Sequence, residues 1–355
     1  MTKKVLFTGN EAIAEAAIQA GCRFYAGYPI TPQNEIPAYM SRRMPEAGGI
    51  FIQAESELAA INMVFGASLT GARAMTTSSS PGISLKQEGI SYLAGCQLPA
   101  VIVNIMRGGP GLGNISPAQS DYFQATKGGG HGDYRSIVLA PSSVQESVDL
   151  TKLSFDLADK YRMPVIILSD GMLGQMMEPV NEFVIKKPEV KNTKKAWTLT
   201  GAKGRKPNII RSLFLKEGAL ESFNKALQKK YRKIETEETR YEAFNLNDSS
   251  IVLVAYGSAA RFAKEAMMQA SKKGIKVGLI RPISLWPFPN NAFSKLLSTN
   301  KKLKDILVVE MSEGQMVEDV KLAVDGRCNV KFYGRSGGGI PTEEEILKQI
   351  KSIRK

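Results

Sequence analysis

The chain has 355 residues, of which 43% are hydrophobic and 23% charged, with a formal net charge of +13. This composition excludes a wholly disordered chain and supplies enough apolar surface for two domains of ordinary size. The three cysteines, Cys22, Cys96 and Cys328, stand far apart without a C-x-x-C pair, and His131 is the single histidine. A zinc site, a thiolate-held iron–sulfur cluster on this chain and a two-histidine acid–base pair are therefore not expected.

From the N-terminus, MTKKVLFTGNEAIAEA has too short an apolar stretch for a secretory signal. No uncharged apolar run is long enough to cross a bilayer, so a cytoplasmic protein is expected. Residues 1–180 alternate short apolar runs with helical patterns. The strand candidates are Val5–Phe7, Phe24–Ala26, Ile50–Gln53, Ala74–Thr77, Val101–Ile105, Ile137–Ala140 and Val165–Leu168. Helical patterns run from Asn10, a candidate N-cap, to Ala20, from Glu55 to Leu69, and from Val144 to Asp159. Such alternation predicts a parallel α/β sheet covered on both faces.

Residues 181–248 break the rhythm and are expected to form a basic connecting arm. Between 186 and 233, 15 Lys and Arg face only Glu189, Glu217 and Glu221, a local balance of +12. A segment of this charge suits an acidic partner surface, phosphate groups or nucleic acid, or is simply a solvated linker. Its apolar residues, Trp197, Ile209, Ile210, Leu213, Phe214 and Leu215, point to a partly ordered arm lying on another chain or on its own domains. No nucleic-acid-binding motif accompanies it. Alternation resumes over 249–355, with strand candidates Ile251–Ala255, Val277–Ile280, Ile306–Glu310 and Val330–Tyr333 and a helix from Ala260 to Ser271. This reads as a second, smaller α/β domain.

Four loops rich in glycine or proline are expected after strands of the first domain: 27–32, 78–82, 107–113 and 128–133. In open α/β sheets the strand carboxyl ends bind ligands, so these loops together predict the rim of one site. None carries a dinucleotide or Walker A fingerprint. Pro29 and Pro32 stiffen the loop that holds Thr31. Arg107 ends an apolar strand, where its guanidinium would meet either a ligand carboxylate or a surface acid. Glu57 begins an apolar helix; it is either a dipole-favoured helix-start carboxylate or a buried acid able to share a proton with a ligand nitrogen.

Taken together, Tyr28-Pro29-Ile30-Thr31-Pro32, Ala54-Glu55-Ser56-Glu57, Ser80-Pro81-Gly82 and Arg107, with Tyr256-Gly257-Ser258 and Arg281-Pro282-Ile283, resemble the α subunit of 2-oxoacid:ferredoxin oxidoreductases. The resemblance covers nearly the whole chain. It is nearest to the branched-chain (3-methyl-2-oxobutanoate) type through Tyr28–Glu35, Arg107–Gly113 and Lys127–Asp133, and next nearest to the 2-oxoglutarate type.

The resemblance implies a thiamine diphosphate pyrimidine-type domain plus a transketolase C-terminal-like domain. It implies oxidative decarboxylation of the oxoacid with coenzyme A, giving acyl-CoA, CO2 and reduced ferredoxin. Glu57 would bond the aminopyrimidine ring, Thr31 and Arg107 would hold the substrate carboxylate, and Tyr28, Pro29 and Ser80 would line the coenzyme. His131 is read as a structural group in its loop. The diphosphate, Mg2+ and iron–sulfur clusters would sit on partners: a β subunit, a γ subunit and a ferredoxin-like δ subunit. Ser169-Asp170-Gly171 only imitates the diphosphate motif and has no paired asparagines after it. Two alternatives stand beside this reading: the same reaction on 2-oxoglutarate or pyruvate, and a basic assembly or nucleic-acid-binding protein on a degenerate α/β fold.

Overall fold

The structure, a computed structural model, describes residues 4–181 and 195–354. The chain opens with strand β1 (Lys4–Thr8) and helix α1 (Gly9–Gln19). Then come β2 (Cys22–Gly27), α2 (Glu35–Glu46), β3 (Ile50–Gln53), α3 (Glu57–Leu69), β4 (Arg73–Ser78), α4 (Ser80–Gly95) and β5 (Ala100–Met106). The first half closes with α5 (Tyr122–Thr126), β6 (Ile137–Leu139), α6 (Val144–Tyr161), β7 (Pro164–Asp170), α7 (Gly171–Gln175) and β8 (Met177–Asn181).

Six of these strands form one parallel sheet in the order β6-β7-β5-β4-β2-β3. Every residue of the central strands β5 and β7 is buried, which accounts for their largely apolar sequences. Helix starts follow side-chain chemistry. Ser56 caps α3 by accepting from the Ala59 amide, and Ser143 caps α6 by accepting from the Glu146 amide.

Three expectations are corrected here. The Val5–Phe7 run is a strand, but β1 pairs antiparallel with β8 in a separate ribbon, because Val5 and Phe7 pack with Val180 against α1 and α6 instead of entering the sheet. The cap of α1 is Thr8, whose hydroxyl accepts from the Glu11 amide; Asn10 lies inside the helix, fully buried. The segment after β4 is no loop. Ser80 opens α4, since proline is tolerated in the first turn and Pro81 sits there.

The second half contains α8 (Ala219–Glu237), β9 (Tyr241–Phe244), β10 (Ile251–Val254), α9 (Gly257–Lys272), β11 (Val277–Pro282), β12 (Ser284–Trp286), α10 (Asn290–Thr299), β13 (Asp305–Glu310), α11 (Met316–Val324), β14 (Asn329–Gly334) and α12 (Glu343–Arg354). Its five-stranded sheet runs β14-β13-β10-β11-β9, with β9 the antiparallel edge. Strand β12 leaves this unit and pairs antiparallel with β6, adding a seventh strand to the first sheet. Val252, Val254, Ile306 and Val308 share one apolar core with Ile137, Val138 and Trp286. The two units are further locked by Gln119, which exchanges hydrogen bonds with Met311 and Tyr256.

Within the basic segment, residues 186–194 lie outside the described residues. Of the rest, Thr198 and one face of α8 are buried, whereas Ile209, Leu213 and Leu215 are exposed. Helix α8 buries Leu227, Tyr231 and Ile234, with Tyr231 edge-on to Trp286 at 5.8 Å, while Lys225, Lys229, Arg232 and Lys233 stay exposed. Among the described residues no helix is long and apolar enough to cross a membrane.

Candidate active site

Four neighbouring segments converge at the carboxyl ends of β2 to β5, where an open parallel sheet leaves main-chain groups and loop side chains free for ligands. After β2 comes the Tyr28–Pro32 loop. Its shape is held by side-chain amides. Buried Asn10 Nδ2 donates to the Pro32 oxygen at 2.8 Å and buried Gln33 Nε2 to the Tyr28 oxygen at 3.2 Å, while the exposed Gln175 adds a donor from Nε2 to the Pro32 oxygen at 3.2 Å. Tyr28 and Pro29 themselves face solvent.

Arg107 follows β5 and is 6% exposed. Its Nη1 donates to the Thr31 oxygen at 3.0 Å and its Nη2 to the Leu112 oxygen at 3.1 Å. One guanidinium therefore ties the proline loop to the glycine-rich loop after β5. Its Nε is buried without a partner among the described residues.

Ser80 lies behind Arg107. The Arg107 amide donates to Ser80 Oγ at 3.1 Å, and Ser80 Oγ donates to Asp121 Oδ2 at 2.6 Å. Asn104, the one polar side chain of β5, completes the set. Its Nδ2 donates to Asp121 at 2.9 Å and its Oδ1 accepts from the Ser80 amide at 3.1 Å. Burial pushes the Asp121 carboxyl above its ordinary range, against the pull of the Ser80 and Asn104 hydrogen bonds.

Glu57 is the first residue of α3 and is 6% exposed. Its carboxylate lies against α4 at Gly82. A Cβ on Gly82 would sit 2.5 Å from Glu57 Oε1 and 2.1 Å from Ser78 Oγ, so only glycine leaves room. Ser78 Oγ is buried and unpartnered among the described residues. The first turn of α4 thus presents Gly82 to Glu57 and Ser80 to Arg107.

The structure brings Thr31, Glu57, Ser80 and Arg107 into one neighbourhood, with Tyr28 and Pro29 on its exposed rim. Three of the four expected rim segments belong to it. The fourth does not: residues 128–133 follow α5, not a strand, and pack on α4 at Gln87 and Ser91. Ser91 is eleven residues along α4 from Ser80, about 16 Å at 1.5 Å per residue. His131 accepts from Ser91 Oγ through its main-chain oxygen at 2.6 Å, and its exposed ring meets Tyr92 edge-on at 6.0 Å.

Lys127 is ion-paired with Asp319 of the second unit, and Arg135 donates to the Thr126 oxygen at 3.1 Å. A cleft of about 760 Å³ between these two residues and Lys225 and Arg232 contains none of the convergent groups. Asp170 of the Ser-Asp-Gly stretch is fully committed inside the protein, accepting from the Met172 and Leu173 amides and from Ser258 Oγ. Sequence reasoning missed Asn104 and Asp121, and read Asn10 only as a helix cap. The signal for Asn104 was present, as a lone amide in an otherwise apolar strand.

The fold and site define a two-unit α/β protein with an acid, an arginine and a rigid proline loop at the carboxyl edge of a parallel sheet. Residues 15–243 match the family described as pyruvate flavodoxin/ferredoxin oxidoreductase, thiamine diphosphate-binding, and residues 249–346 match pyruvate:ferredoxin oxidoreductase core domain II. The chain belongs to this family of oxidoreductases.

It is 52% identical over 348 residues, 97% of this chain and 96% of the relative, to the ketoisovalerate oxidoreductase subunit VorB of Methanothermobacter marburgensis. It is 39% identical to the 2-oxoglutarate synthase subunit KorA of Methanocaldococcus jannaschii, over 96% of this chain and 98% of that one. The 2-oxoglutarate:ferredoxin oxidoreductase of Magnetococcus marinus, solved with 2-oxoglutarate, coenzyme A and succinyl-CoA bound, superposes with a TM-score of 0.88 at 28% identity. That match covers 99% of this chain and 65% of that chain's length.

Proposed function

We propose that this chain is the subunit of a 3-methyl-2-oxobutanoate (ketoisovalerate):ferredoxin oxidoreductase that contributes the pyrimidine side of a thiamine diphosphate site. The reaction joins the oxoacid to coenzyme A as acyl-CoA, releases CO2 and passes two electrons to ferredoxin. The observation that carries the substrate is the full-length similarity to a ketoisovalerate oxidoreductase subunit at 52% identity, against 39% for a 2-oxoglutarate synthase subunit. The electrostatics agree. A second substrate carboxylate would need a further cation, and Lys127 and Arg135 are both engaged elsewhere. Beside Arg107 stands Leu112, 81% exposed, an apolar neighbour suited to a branched acyl chain.

The residues present fit an aminopyrimidine. A buried carboxylate packed on a bare glycine, beside an orphaned hydroxyl at Ser78, leaves polar groups unmet there. When bound, thiamine diphosphate supplies the carbanion chemistry that cleaves the carboxylate from the ketone carbon. Glu57 holds a proton at the ring nitrogen N1′. Arg107, through the donors it does not spend on main-chain oxygens, and Thr31 hold the oxoacid carboxylate. Ser80 fixes Arg107 from behind, and Tyr28 and Pro29 wall the entrance.

The rest of the coenzyme site is assigned to partner chains: a β subunit with the diphosphate, Mg2+ and iron–sulfur cluster, and γ and δ subunits that complete the path to ferredoxin. The exposed apolar side chains of Tyr28, Leu58, Leu85 and Leu112 around the site support a covering partner. The segments 1–180, 181–248 and 249–355 are taken as coenzyme domain, arm and second domain of a cytoplasmic complex.

The test is dye or ferredoxin reduction by the purified complex with coenzyme A and each 2-oxoacid in turn. Highest kcat/KM with 3-methyl-2-oxobutanoate is expected; a higher value with 2-oxoglutarate or pyruvate overturns the substrate assignment.

A further inference from the structure

Lys86 is 0% exposed, in the middle of α4. Lysines are almost never fully buried without a partner, and an unbranched apolar side chain would fill the same space at lower cost. Its surroundings explain where it points. Gly82, Lys86 and Gly89 share one face of α4, at spacings that bring them to α3. Gly82 abuts the Glu57 carboxylate. A Cβ on Gly89 would sit 2.6 Å from Ile61 Cγ1, so the helices approach closely on both sides of the lysine. Lys86 Nζ donates to the main-chain oxygen of Glu57 at 3.2 Å.

Burial pulls the Lys86 ammonium down to about 8, while the charge of Glu57 pulls the other way. Among the described residues no other titratable group acts on it: Glu55, before α3, and Glu88, on α4 itself, face solvent.

We propose that Lys86 is a positioning residue for Glu57, anchoring the first turn of α3 and placing a buried cation beside the carboxyl group that meets the coenzyme ring. By Coulomb's law the buried ammonium attracts the negative charge of Glu57 and so helps hold the start of α3 in place. The inference rests on the role assigned to Glu57 above.

The experiment measures thiamine diphosphate affinity of the assembled complex by titration calorimetry at pH values from below to above 8, for wild type, Lys86→Met and Lys86→Gln. Wild-type affinity is expected to fall about tenfold as Lys86 loses its proton, with the inflection near 8. Lys86→Met, of similar length and uncharged, binds about tenfold more weakly at neutral pH, shows no inflection and keeps its melting temperature. Lys86→Gln keeps a donor for the Glu57 oxygen and also lacks the inflection; it carries the test should the methionine variant not fold. Wild-type affinity and inflection in Lys86→Met, or a persisting inflection in Lys86→Gln, overturns the proposal. Turnover of Glu57→Gln, measured alongside, separates the two failures. Loss of turnover there with Lys86→Met unchanged removes only the role of Lys86, whereas retained turnover removes the role of Glu57.

Discussion

Arg107 donates to the main-chain oxygen of Thr31 at 3.0 Å across 76 residues of sequence. This bond fixes the height of the proline loop above the sheet. It also means that the guanidinium is a structural strut as well as a charge. Its second strut, to the Leu112 oxygen at 3.1 Å, sets the glycine-rich loop relative to the same point. A carboxylate captured here would meet a cation that cannot swing away, which is the preorganisation a fixed substrate anchor needs.

Glu57→Gln removes the exchangeable proton and keeps the volume. Turnover of the assembled enzyme should fall by about a hundredfold or more, the scale of a lost general acid–base group. The melting temperature should stay near wild type, because Ser56 still caps the helix. Substantial residual turnover in a folded variant would count against the role given to Glu57.

Arg107→Ala should raise KM for the oxoacid far more than KM for coenzyme A. Arg107→Lys should not rescue it, since an ammonium cannot span two main-chain oxygens and a planar carboxylate. An equal rise in both KM values would make the arginine a loop strut alone.

Gly82→Ala tests the close packing of Glu57 on α4. The added methyl would lie 2.5 Å from Glu57 Oε1 and 2.1 Å from Ser78 Oγ, so one of them must move. Alanine itself favours the helix. The expected outcome is a folded protein whose thiamine diphosphate dissociation constant rises about tenfold or more, about one pKa unit's worth of free energy. Unchanged affinity would place the coenzyme ring elsewhere.

Lys230 offers a pH test far from the site. Its ammonium donates to Gln97 Oε1 and to the Tyr161 oxygen, and burial pulls it down to about 8, with Arg162 adding to the shift. The folded chain therefore releases this proton at lower pH than the unfolded chain. Between about pH 8 and the ordinary lysine value of 10.5 the unfolded state binds more protons, so stability gains with rising pH from this group. Lys230→Met removes that gain. Denaturant unfolding should show wild type gaining stability relative to the variant across that window; a pH-independent difference would refute the shift.

The alternation of strand and helix was legible because burial on both faces leaves apolar runs such as Val165–Leu168. Thr31 and Arg107 were legible as candidates because prolines and a strand end announce rigid positions locally. Glu57 stood out as an acid entering an apolar helix. Helix α4 was hidden by Pro81, Gly82 and Gly89, residues that usually break helices. Only the packed structure shows why two of them are there: glycines let α4 approach Glu57 and Ile61.

Local pattern by itself determined the fold class, the candidate acid and arginine, and the family resemblance, since periodicity, turn chemistry and motif spacing are written along the chain. Tertiary structure alone decided that β1 leaves the sheet, that β12 crosses into it, that the His131 loop lies far down α4, and that Lys86 is buried under Glu57. Those outcomes depend on which surfaces exclude water together. That is a property of residues distant in sequence, and no single window of the chain contains it.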